Sequence, residues 1–261
     1  MIDVDDLANL ISHNIGNAIR VADAIQLEAR NKSGSAGMLA DAPAYRELPL
    51  GWAKKSWAAT LFVDLRGSTK RAVRIGARDT FVTMQAYIPA MAQVIGENDG
   101  YIVGFRGDGV FAGFGLDNDD EDTTTHRKRA VQTAGVCGKC MLDVVRTIIN
   151  PLLEVNDIEG GLKVGVGIDV GEIVVTRIGL PGSFDLTVYG DSVNTAAHLA
   201  DEASGQMLIT PEADDLFPSG INGRVTTETA ETETPAVILQ FPDPYLPKPN
   251  WKRIFSPVSA G

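Results

Sequence analysis

Two aspartates, each closing a β-rich apolar run, constrain this chain most. Asp64 stands in Thr60-Leu-Phe-Val-Asp-Leu-Arg-Gly-Ser-Thr69 and Asp108 in Tyr101-Ile-Val-Gly-Phe-Arg-Gly-Asp-Gly109. The pattern predicts a strand over about 57–65, a long helix over 68–97, and strands over 100–106 and 110–115 flanking a Gly107-Asp108-Gly109 turn. Gly67-Ser68-Thr69 can open the helix, and Gly109 can complete the turn. A strand, a helix and a hairpin in that order commit the chain to a sheet layered with helices, and both carboxylates to strand ends.

Carboxylates held on rigid strands suit a hard divalent ion such as Mg²⁺ or Mn²⁺, which takes oxygen ligands, keeps waters and is completed by substrate phosphates. The backbone N–H groups from Arg66 to Thr69, at a helix start, would face those phosphates. A lone Asp at a strand end is usually a turn residue or a helix cap. Two of them, with the third motif described below, favour a metal–nucleotide site.

The rest of the chain supplies a frame. Apolar residues at helical spacing from Val4 to Ile25 predict an amphipathic helix or helix pair, with a role in packing or dimer support. Asn31-Lys-Ser-Gly-Ser-Ala-Gly37 reads as a flexible linker. A helix is expected over about 123–149, a hairpin from Leu162–Val170 and Ile173–Ile178 around Gly171, and a strand at Asp185–Tyr189. A helix from Ser192 to about Glu202 and a strand at Gln206–Ile209 follow. The order β-α-β-β-α-β, then more β, α and β, predicts an α+β, ferredoxin-like domain whose mainly antiparallel sheet is covered by helices on one side. Peripheral strands are expected from Thr226–Thr234 and Val237–Phe241, with a loose Pro-rich end.

A net charge of −11 argues against a nucleic-acid or anionic-membrane binder. No apolar stretch approaches the ~20 residues of a membrane span, and the acidic start lacks a signal peptide's basic end, so a cytoplasmic location is expected. Asp117-Asn-Asp-Asp-Glu-Asp122 reads as a solvated loop, since a calcium loop would need a glycine and a distal Glu. Cys137 and Cys140 have the spacing of a redox pair. They fall inside a helical pattern, where i and i+3 share a face, and read as buried packing.

The third motif, Thr187-Val-Tyr-Gly-Asp-Ser-Val-Asn194, joins a strand to a helix, and Asn194 and His198 emerge on one face of that helix. Phe62–Thr69, Gly107–Gly115, Val166–Val175 and Tyr189–Leu199 together resemble the class III nucleotidyl cyclase domain, in family order and spacing, over about 56–211. The resemblance implies two metal ions, Mg²⁺ or Mn²⁺, on Asp64 and Asp108, with the Leu65 carbonyl as an extra ligand and Asn194 orienting the ribose. It implies a nucleotide site that includes Phe62, Arg66, Gly67, Ser68 and Thr69. It implies a head-to-tail homodimer in which Asp64 and Asp108 meet Asn194 of the other chain. The domains are then 1–37 (helix and linker), 38–211 (catalytic) and 212–261 (C-terminal β extension).

The departures from the family speak to the substrate. Adenylyl cyclases of this class carry Lys, and guanylyl cyclases Glu, where this chain has Gly104; the partner position is Thr187. Arg106, two residues on and on the same strand face, is a donor-only fork that suits the carbonyl oxygens of uracil better than cytosine's amino group. Pairing with acidic surface or phosphate is the alternative role for Arg106. The combination resembles the stand-alone pyrimidine cyclases of bacterial Pycsar anti-phage systems. It implies UTP as the favoured nucleoside triphosphate, cUMP as product and a separate cyclic-nucleotide-responsive effector. Alternatives are a cCMP-forming or purine cyclase, or a degenerate nucleotide sensor or dimerisation module. His198 stands where the family has an Arg, with Arg66, Lys70 or Arg177 as candidate substitutes.

Overall fold

The computed structural model describes residues 2–24, 37–116, 123–217, 225–242 and 245–251. Helix α1 (Val4–Ala24) precedes strand β1 (Ala53–Leu65), helix α2 (Ser68–Gly96) and the hairpin β2 (Tyr101–Arg106) and β3 (Gly109–Phe114). Helices α3 (Thr124–Val144) and α4 (Asn150–Val155), strands β4 (Val164–Leu180) and β5 (Ser183–Tyr189), and helix α5 (Asp191–Glu202) follow. Strand β6 (Met207–Ile209), helix α6 (Pro211–Leu216) and strands β7 (Thr226–Thr229) and β8 (Val237–Gln240) complete the described elements.

The strands form one sheet in the order β2-β3-β1-β4-β6-β8-β7, with β5 paired to β4. Only the short β4–β6 pairing is parallel. Strand alternation sorts β1 into two faces. Leu61, Val63 and Leu65, opposite Ile168, Val166 and Val164 of β4, share the main apolar core with residues of α1, α2 and α3. Thr60, Phe62 and Asp64, opposite Asp169, Gly167 and Gly165, turn the other way.

That second face carries α5, so the sheet has helices on both sides and not on one. The Thr60 hydroxyl donates to a pair of carbonyls, 3.0 Å from Ser192 O and 3.1 Å from Asp169 O. A Cβ on Gly167 would stand 2.1 Å from Ala196 O, so only glycine lets α5 lie this close to β4. A methyl there would force a backbone shift costing about 1–3 kcal/mol.

Three further expectations are corrected. Strand β4 is continuous through Gly171, which pairs with Ala58 in the ladder and makes no turn. A Cβ at Gly171 would make an ordinary contact with Ser192 Cβ at 3.5 Å, so the position faces α5. Helix α2 is broken at Gly76 (φ 80°, ψ 173°). The helix expected over 123–149 leaves α-geometry at Val145, passes through a π-helical turn to Ile149 and continues as α4.

Helix α1 does not stand apart: Leu7, Ala8, Ile11 and Ile15 are buried in the main core, on α2. The C-terminal segment is latched to the body through the buried Asp143 carboxylate. That group takes the amides of Tyr245 and Leu246 at 3.1 and 3.2 Å, Lys139 Nζ at 2.7 Å and Arg146 Nη2 at 2.9 Å. Asn250 N–H donates to Asp5 Oδ1 at 2.8 Å. The acidic run 117–122, residues 25–36 of the expected helix and linker, and residues 252–261 lie outside the described residues.

Candidate active site

The β1–β3 register pairs Val63 with Val110, so Asp64, one residue past that pair on β1, faces the turn that carries Asp108. Gly107 at φ 64° allows that turn, a backbone state costly for residues with a Cβ. The Phe62 ring stacks on Phe111 at 5.9 Å and fills the space a Gly109 side chain would need, so it braces the hairpin from below. Burial first, then the charge of Asp108, pushes the Asp64 carboxyl up to about 6, against the pull of Arg66 and the Leu65 N–H. Asp108 Oδ2 is buried without a hydrogen-bond partner. A partnerless carboxylate oxygen beside a like charge is a pair short of a cation, and the oxygen donors fit Mg²⁺ or Mn²⁺. Among the described residues no group of three or more His, Cys, Asp or Glu could hold a metal. Two carboxylates leave room for a carbonyl, water and phosphate. The Leu65 side chain is buried in the core, which leaves its backbone for such a role.

Around the pair, Gly67 in the left-handed region (φ 67°) starts α2 at Ser68. The amides of Ser68 and Thr69 lie in the first turn, where no intrahelical acceptor exists. The Arg66 amide is not part of this set, because it donates to Lys163 O at 2.8 Å. The Arg66 guanidinium reaches Asp201 Oδ1 at 2.8 Å and stops 4.0 Å from Asp64 Oδ2. Lys70 is exposed at the same helix start. Arg71 and Arg74 are both held by Glu159.

The positions expected to read the base lie on the same sheet face. Gly104 pairs with Phe111 and Arg106 with Gly109, which puts both on the side of Phe62 and Asp64. A Cβ on Gly104 would meet nothing within 4 Å, so the position is open space. Arg106 is exposed and forms no ion pair with the described residues. Val103, beside Gly104, shares one apolar cluster with Leu186 and Val188, the neighbours of Thr187, so β2 and β5 approach one another. Arg177 is excluded as a substitute cation. It donates to the carbonyls of Tyr45 and Arg46 and lies over the Phe184 ring at 4.8 Å.

Asn194 and His198 are exposed on α5, while Ala196, Leu199 and Ala200 on its other face pack inward. Asp201 continues the same stripe, about 10 Å along the helix from Asn194 at roughly 1.5 Å per residue. The structure therefore joins Asp64, Asp108, Phe62 and the start of α2 in one place and presents Asn194 outward from it. Two residues near the carboxylates escaped the sequence reading. Asp201 carried a signal, seven residues from Asn194 on a helix. Tyr87 carried none, since it occupies an apolar position of α2. Its buried hydroxyl has no partner, and burial, then the charges of Asp64 and Asp108, raise its pKa well above the usual phenol range.

Cys137 and Cys140 are buried free thiols. Burial pushes Cys137 well up and Cys140 up to about 12, which makes packing and not thiolate chemistry their role. Among the described residues no helix is long and apolar enough to cross a membrane.

A family model described as the adenylate and guanylate cyclase catalytic domain matches residues 53–231. A curated relative, the cytidylate cyclase of Escherichia coli, is 28% identical over 191 residues, covering 71% of this chain and 40% of that protein. The chain thus spans less than half of that relative's length. The crystal structure of the adenylyl cyclase CyaB from P. aeruginosa superposes with a TM-score of 0.61 at 22% identity, over 74% of this chain and 96% of that one. The guanylyl cyclase Cya2 superposes at 0.58 with 25% identity, over 74% and 96%.

Proposed function

Because the chain belongs to the adenylate and guanylate cyclase catalytic domain family, we propose that it cyclises a pyrimidine nucleoside triphosphate, UTP before CTP, to the 3′,5′-cyclic nucleotide and pyrophosphate. The observation that carries the catalytic part is the carboxylate pair: Asp108 Oδ2 is buried without a partner beside Asp64, whose carboxyl burial and then the Asp108 charge push up to about 6. On this reading Asp64, Asp108 and the Leu65 carbonyl hold two Mg²⁺ or Mn²⁺ ions. When bound, these lower the pKa of the ribose 3′-hydroxyl and neutralise phosphate charge. The first-turn amides of α2 face the phosphates. The ribose 3′-oxygen attacks the α-phosphorus, and pyrophosphate leaves. Asn194 of a second, head-to-tail copy orients the ribose, and His198 beside it donates to phosphate.

Arg106 supports the base preference. It stands free of the described residues beside the open Gly104 position, and its N–H groups, which only donate, can meet a uracil carbonyl oxygen but cannot accept from cytosine's amino group. CTP is the second reading, favoured by the name of the Escherichia coli relative. The product would serve as a second messenger for a separate effector in bacterial antiviral defence, as it does for the Pycsar cyclases the chain resembles.

Incubation with each of the four nucleoside triphosphates and Mn²⁺, read by mass spectrometry, tests the proposal. cUMP is expected to dominate. A cCMP majority moves the assignment to the second reading. A majority of cAMP or cGMP defeats the pyrimidine claim, and no product from any nucleotide points to a sensor.

A further inference from the structure

The side chain that adjoins the carboxylate pair is a cation, and it is turned away. Arg66 Nη1 lies 2.8 Å from Asp201 Oδ1 but 4.0 Å from Asp64 Oδ2. Its backbone is fixed by the Lys163 bond and by the turn at Gly67, so only its side chain can choose between the two acids. The Asp201 side chain is 78% exposed and that of Asp64 27%. A guanidinium left to choose by depth alone would move to the less solvated carboxylate, where attraction is stronger. There it would occupy the face a divalent ion needs.

We propose that Asp201 is a positioning residue that holds Arg66 off Asp64, so that the last turn of α5 sets how readily this site takes its divalent cation. The inference rests on the reading of Asp64 as a metal ligand. Arg66 and the ion are competitors for one carboxylate, and Asp201 is the acceptor that keeps the competitor occupied. The Asp201 carboxylate also adds negative charge near the site without filling it.

Isothermal titration of Mn²⁺ into the full chain tests this without turnover. Asp201→Asn is expected to weaken Mn²⁺ binding about three-fold, the scale of one exposed ion pair. Asp201→Glu should retain wild-type affinity, and Arg66→Ala should tighten it. In the Arg66→Ala background the Asp201→Asn effect should shrink to what the loss of one nearby negative charge leaves. Turnover of Asp201→Asn should recover at saturating Mn²⁺, which a folding defect would not allow. Equal weakening by Asp201→Asn with and without Arg66 overturns the inference alone. Mn²⁺ binding that survives Asp64→Ala removes the metal reading and the inference together.

Discussion

Asp64 and Asp108 face each other as like charges at two adjacent strand ends, and Asp64 is the one that yields. Its carboxyl is pushed up to about 6 by burial and then by Asp108, from 3.8 when unperturbed. The protonated form is therefore favoured by folding. This contribution to stability is fully present below the unfolded value and is lost as pH rises through about 6. In metal-free protein, thermal shift should show Asp64→Asn gaining on wild type as pH increases from 5 to 7. Mn²⁺ must displace the same proton, so its affinity should fall about ten-fold between pH 7.5 and pH 5. A flat Mn²⁺ affinity across that range would exclude Asp64 as a ligand.

Asn194 is exposed on α5, and the proposed function has it serve the carboxylates of a second copy. Asp64→Ala and Asn194→Ala chains should each be inactive. Mixed in equal amounts, they should regain about a quarter of wild-type turnover, because half the dimers carry one intact site of two. Activity in either variant alone, or none in the mixture, contradicts the composite site.

Asp143 is almost completely buried and holds four donors from three segments. Asp143→Ala removes the carboxylate that Lys139 and Arg146 share and the acceptor of the 245–246 amides. Urea unfolding should show a loss of about 3–5 kcal/mol. A loss under ~1 kcal/mol would mean that the C-terminal segment is held by its apolar contacts and the Asn250–Asp5 bond without help from Asp143.

The same residues show what was legible beforehand. The strand ending at Asp64, the Asp108 hairpin and α5 could be read because period, glycine and polar residues agree there. Gly171 could not: a glycine between two apolar runs looks like a turn, and only its pairing with Ala58 of β1 shows the strand running through it. Gly76 breaks α2 with a positive φ that a lone glycine inside a helical run does not announce. Arg177 looked free for catalysis because nothing local in sequence points to the Tyr45 carbonyl or the Phe184 ring that occupy it. The carboxylate pair was legible as chemistry, but its near neighbours Asp201 and Tyr87 arrive through folding.

The hydrogen bond from Asn250 to Asp5 has an architectural consequence. A polypeptide entering this domain near residue 5 and leaving near residue 250 does so through almost the same point on its surface. A unit with adjoining entry and exit can be spliced into a host chain, or have its ends fused and be reopened elsewhere, without disturbing the sheet. Reopening at the exposed β4–β5 tip, between Leu180 and Ser183, would make that portability visible in a circular permutant.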